Sequence, residues 1–169
     1  MSVAFAALAL SFSVILTERE ALDRAFPEAT FERKVLYLTE EQVERVQKEA
    51  RSRLPSAVVT MIEARSGEKL LGRAYLDTHI VRTMPETLLT AIAPDGRLKA
   101  ALVLQFAEPP DYLPREKWLT TFEGKKLDDD LWPGRGVYRV TGATLTVQAL
   151  TEAVRRSLAI DRVAHSQER

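Results

Sequence analysis

The chain has 169 residues, enough for one domain with a full core, and it sets 24 Lys and Arg against 24 Asp and Glu. A formal charge of +0 leaves no overall field to recruit nucleic acid or an anionic membrane. The absence of cysteine excludes disulfides, thiolate metal sites, iron–sulfur clusters and cysteine nucleophiles, so any redox chemistry needs a bound organic cofactor.

Residues 3–16 are apolar apart from Ser11 and Ser13, and they carry no charge. The stretch is shorter than the roughly 20 residues that cross a bilayer, but it has the length of a signal-peptide hydrophobic region. Ser11-Phe12-Ser13 gives a small-x-small pattern suited to cleavage, while no basic residue precedes Arg19. Three readings stay open for residues 1–16: signal peptide, uncleaved anchor, or buried helix. Residues 17–56 read as a helical extension. Thr17 with Glu20 is a capping box opening a helix that Pro27 stops, and Thr39 with Gln42 is a second box. From the second box Val43, Val46, Ala50 and Leu54 recur at helical spacing up to Pro55, and residues 35–38 suit an edge strand.

From residue 57 the pattern changes to strands. Residues 57–64 and 69–76 flank Arg65-Ser66-Gly67-Glu68, and residues 87–93 and 98–106 flank Pro94-Asp95-Gly96-Arg97, both of them hairpin turn signals. Pro109-Pro110 ends the strand region, and residues 114–122 read as a short helix with proline in its first turn. Asp128-Asp129-Asp130 opens a solvated loop running to Gly136. A last helix places Val147, Leu150, Val154 and Leu158 on one face toward the sheet. The expected fold is α+β: an antiparallel twisted sheet of two hairpins packed with helices, spanning residues 57–163, with the N-terminal helical extension before it. Residues 164–169 are a polar tail, where His165 is expected to face solvent.

The junction between the loop and the last helix is Thr141-Gly142-Ala143-Thr144-Leu145-Thr146. Gly142 permits positive φ, Ala143 is small, and the helix that follows offers free N–H groups and the positive end of its dipole to an anion. On this physics alone an ordinary cap at Thr144 or Thr146 is the commoner outcome. The two histidines have no paired spacing for a metal or haem, and neither a Gly-x-Gly-x-x-Gly strand turn nor a serine-hydrolase motif is present.

The hexapeptide closely resembles the flavin-attachment signature of the FMN-binding domain family, found in the G subunit of the Rnf electron-transport complex and the C subunit of the sodium-pumping NADH:quinone oxidoreductase. Residues 77–89, the Pro94-Asp95-Gly96-Arg97 turn and residues 118–125 resemble further blocks of that family, in its order, across residues 72–160. The resemblance implies FMN carried by a phosphoester on Thr144, with noncovalent FMN in the same cradle as the alternative. It implies a ring lying on the strand of Glu86, Thr87 and Leu88, with His79 and Arg82 as candidate donors to flavin oxygens or phosphate. It also implies an extracytoplasmic or membrane-tethered electron carrier rather than a self-sufficient oxidoreductase, with redox partner proteins, membrane-complex subunits among them, and a flavin transferase. No catalytic or metal-ligating residue is expected. A cofactor-free binding or assembly module of the same fold is the alternative. One position departs from the family: an aspartate normally stands three residues before the motif, and here it is Tyr138, which with Arg139 offers a ring to stack and a charge for phosphate.

Overall fold

The computed structural model describes residues 13–166. Six antiparallel strands form one sheet: β1 (Ser13–Val14), β2 (Thr30–Tyr37), β3 (Val58–Ser66), β4 (Lys69–Ile80), β5 (Pro85–Ile92) and β6 (Leu98–Phe106), in the spatial order β1-β6-β5-β4-β3-β2. The helices are α1 (Glu18–Ala25), α2 (Glu40–Ala50), α3 (Glu116–Leu119) and α4 (Thr144–Ala164). Both glycine turns form where the sequence puts them, with Gly67 at φ 57° and Gly96 at φ 79°. Both capping boxes are made in full, at Thr17 with Glu20 and at Thr39 with Gln42.

Alternation along each strand splits the apolar residues between the two faces of the sheet. On one face Tyr75, Leu88 and Val103 pack with Val46 and Ala50 of α2 and with Leu150, Val154 and Leu158 of α4. On the other, Ile62, Ala74, Leu89 and Leu104 pack with Ala21, Leu22, Ala25 and Phe26 at α1. The result is three layers, with β5 at the centre. Residues 17–56 share this body, because β2 pairs with β3 along its whole length and α1 and α2 cover opposite faces. Ser13 and Val14 pair with Phe106 and Gln105, so the end of the apolar N-terminal stretch is an edge strand. The remainder of the expected signal or anchor, residues 1–12, lies outside the described residues.

Three expectations are corrected. Helix α2 ends at Ala50 rather than continuing to Leu54, because Arg51 turns left-handed at φ 54° and the buried Arg155 takes the carbonyls of Glu49 and Ala50. Helix α4 is buried almost all round from Leu150 to Val163, not on one face, because α2 and the loop after α3 cover its far side. His165 is buried, and its Nδ1 lies 3.2 Å from the Asp161 carbonyl, where the last turn of α4 folds it inward.

Candidate anion and ligand site at the start of helix α4

Gly142 takes φ 85°, with open space where a Cβ would stand, and Ala143 occupies the N-cap position of α4. No side chain caps this helix, so the cap reading of Thr144 and Thr146 is not realised. The first helical bond runs from Val147 N–H to the Ala143 carbonyl at 2.9 Å, which leaves the preceding N–H groups outside the ladder. Thr144 is the first helical residue and is exposed, as are Thr141 and Gly142; Leu145 is 51% exposed. Thr146 points inward and is buried, and its Oγ1 has no hydrogen-bond partner among the described residues. A buried hydroxyl without a partner costs about 1–3 kcal/mol. An uncapped helix start and an unpartnered hydroxyl on one turn form a cradle for an oxyanion.

A pocket of about 170 Å³ opens over this turn, lined by residues 142–146 with Arg82 and Tyr112. Arg82 comes from the β4–β5 connection, and its guanidinium lies 4.6 Å from the centre of the Tyr112 ring. Among the described residues it makes no ion pair, so its charge is free for a ligand. On the other side of Thr144 lies a second pocket of about 370 Å³, lined by Trp132, Pro133, Arg139, Val140, Val147 and Gln148. That volume is within the range of small-molecule sites. Thr144 lines both pockets and joins them. Arg139 lies across Gly134, where a Cβ would stand 2.7 Å from its guanidinium, so glycine there makes room for the arginine. Tyr138 is 76% exposed, and its carbonyl accepts from Trp118 Nε1 at 2.8 Å, which fixes the backbone leading into the motif.

The structure separates the other predicted residues from this site. Glu86 and Leu88 are wholly buried, Leu88 under α4, because β5 is the central strand and both its faces are covered. Neither side chain reaches the surface. Thr87 is partly exposed but shares a 3.0 Å hydrogen bond with Thr78 and faces a different cleft, between β3 and β4. His79 is held at both ring nitrogens, Nδ1 to Asp77 at 2.9 Å and Nε2 to Glu86 at 3.2 Å, and is a buried structural group. Arg156 completes the cluster with two bonds to Asp77, at 2.7 and 2.8 Å. Burial works against the Asp77 charge, but hydrogen bonds from His79 and Arg156 outweigh it and hold the carboxyl at about 2. Burial would likewise lower His79, yet its bonds to Asp77 and Glu86 prevail and raise it, while burial pushes Glu86 up.

Of the predicted residues, the site gathers Thr144, Gly142, Ala143, Leu145, Thr146 and Arg82. It adds Gln148, one turn along α4 from Thr144, and Tyr112 and Trp132, which carry no pattern of their own in the sequence and are brought in only by the segments before α3 and before α4. Among known proteins, residues 84–159 match the model of the FMN-binding domain. No curated protein matches the chain at a significant level.

Proposed function

Since residues 84–159 match the FMN-binding domain model, we propose that this chain is an electron carrier whose FMN is attached through its phosphate to Thr144. The observation that carries the reading is the turn itself: an exposed Thr144 beside an uncapped helix start, with the Thr146 hydroxyl lacking a hydrogen-bond partner and Arg82 lacking an ion pair among the described residues. These donors suit a phosphate group, a dianion in free FMN and a monoanionic diester once it is joined to Thr144. The helix N–H groups and Thr146 Oγ1 supply directed hydrogen bonds, and Arg82 neutralises charge. The larger pocket, walled by Trp132 and Arg139, receives the apolar body of the flavin. FMN, when bound, supplies one- or two-electron redox chemistry; the chain positions it and sets its electrostatic surroundings.

Thr144 is then an anchor, loaded once by a flavin transferase, and not a group that reacts in each turnover. Electrons pass to and from partner proteins outside the cytoplasmic membrane, membrane-complex subunits among them. Thr144→Val tests the attachment. It keeps the branched shape at an exposed position and removes the one oxygen able to form the ester, so covalent flavin is lost while the fold survives. If the flavin is instead held noncovalently, the change removes at most one hydrogen bond, and binding weakens only about two- to tenfold. A wild-type protein that stays colourless with transferase and FAD supplied, and binds no added FMN, would favour the cofactor-free assembly module.

A further inference from the structure

We infer that Glu108 is a positioning residue that holds Arg82 at the phosphate pocket. The inference rests on the FMN reading above. The connection between β4 and β5 is short, residues 81–84, and its internal closure is one bond from Val81 N–H to the Met84 carbonyl at 3.1 Å. The amides of Thr83 and Met84 turn outward onto one acid. Thr83 N–H donates to Glu108 Oε1 at 2.7 Å and Met84 N–H at 3.0 Å, and the Thr83 hydroxyl adds a bond at 3.3 Å. Successive N–H groups converging in this way form an anion nest, and here the chain fills the nest with its own carboxylate.

The electrostatics make the arrangement specific. Glu108 is 8% exposed, and no Lys, Arg or His pairs with it among the described residues. Its charge is met by backbone N–H groups and not by the neighbouring guanidinium, so Arg82 keeps its full charge. The segment that supplies Glu108 also supplies Tyr112, whose ring lies beneath the Arg82 guanidinium at 4.6 Å. One stretch after β6 therefore fixes both the backbone that follows Arg82 and the Arg82 side chain. An acid that paired directly with Arg82 would have cancelled the charge it was holding in place.

The test compares FMN with riboflavin, which lacks the phosphate, as titrants of protein made without a flavin transferase. Wild type binds FMN more tightly than riboflavin. Glu108→Ala weakens FMN about two- to tenfold and leaves riboflavin unchanged, and Glu108→Gln, which keeps a carbonyl acceptor, restores most of the loss. In an Arg82→Ala background Glu108→Ala causes no further loss. Should Glu108→Ala fail to fold, Tyr112→Leu decides the matter by the same selective loss of FMN affinity. Equal losses for FMN and riboflavin, losses additive with Arg82→Ala, or no loss at all would overturn the role of Glu108 while leaving the FMN site standing. A wild type with no preference for FMN over riboflavin would instead remove the phosphate site and this inference together.

Discussion

At the start of α4 two residues of the same type do opposite things. Thr144 is exposed at the surface, whereas Thr146 Oγ1 is buried without a partner among the described residues. The buried hydroxyl stands at a cost until a ligand oxygen accepts from it. Thr146→Val should therefore act with opposite signs on the free and loaded protein. It stabilises the ligand-free chain by up to about 1–3 kcal/mol, read from denaturant unfolding, and weakens FMN two- to tenfold in titration. Destabilisation of the free protein would mean that Thr146 already has a partner. Tyr138 invites the reverse change. Its side chain is 76% exposed and only its carbonyl is engaged, so Tyr138→Asp leaves the fold intact and should raise flavin occupancy at Thr144 when transferase and FAD are supplied. Unchanged occupancy would show that the family's aspartate is dispensable here.

Between elements, the cluster of Asp77, His79, Glu86 and Arg156 ties β4 and β5 to α4. Arg156→Met strands a buried carboxylate and should cost about 3–5 kcal/mol. Because His79 is raised in the folded state, the stability it contributes is complete below its unfolded value of about 6.5 and is lost as pH rises through the folded value. The stability difference between wild type and His79→Asn should accordingly shrink from pH 6 toward pH 9; a difference that grows would contradict this assignment of charge. Gly72 is a second point of contact, where a Cβ would stand 2.3 Å from the Ile92 carbonyl and 2.6 Å from the Phe26 ring. Gly72→Ala should cost about 1–3 kcal/mol or more in urea unfolding.

These examples mark what a sequence can reveal. The capping boxes at Thr17 and Thr39 and the turns at Gly67 and Gly96 were legible because each is settled within three or four residues. The motif at Thr144 was legible for the same reason, and Arg82 only through the family resemblance. The burial of Arg155 and Arg156 was not, because their partners Ala50 and Asp77 stand 105 and 79 residues away. Nor was the burial of Glu86 and Leu88. A strand of mixed apolar and polar residues does not announce that helices cover both of its faces.

Seen whole, the molecule is a sheet with α1 on one face and α2 and α4 on the other, and the proposed site lies at the N-terminal end of the most buried helix. That placement joins an exposed attachment point to a rigid support, which suits a carrier whose cofactor must meet partners without moving. Among the described residues no helix is long and apolar enough to cross a membrane. The proposal of export rests on the uncharged stretch 3–16 and on the family, and fractionation of the native host should place most of the protein outside the cytoplasmic membrane. Full-length protein with Met1 retained, recovered only from the cytosol, would contradict it. The attachment itself is tested most directly by mass spectrometry of the tryptic peptide 140–155 from protein purified from its native host. The account predicts that this peptide carries the mass of one FMN less one water, located on Thr144. An unmodified peptide from a yellow protein would overturn the covalent link alone, and an unmodified peptide from a colourless protein would contradict the account.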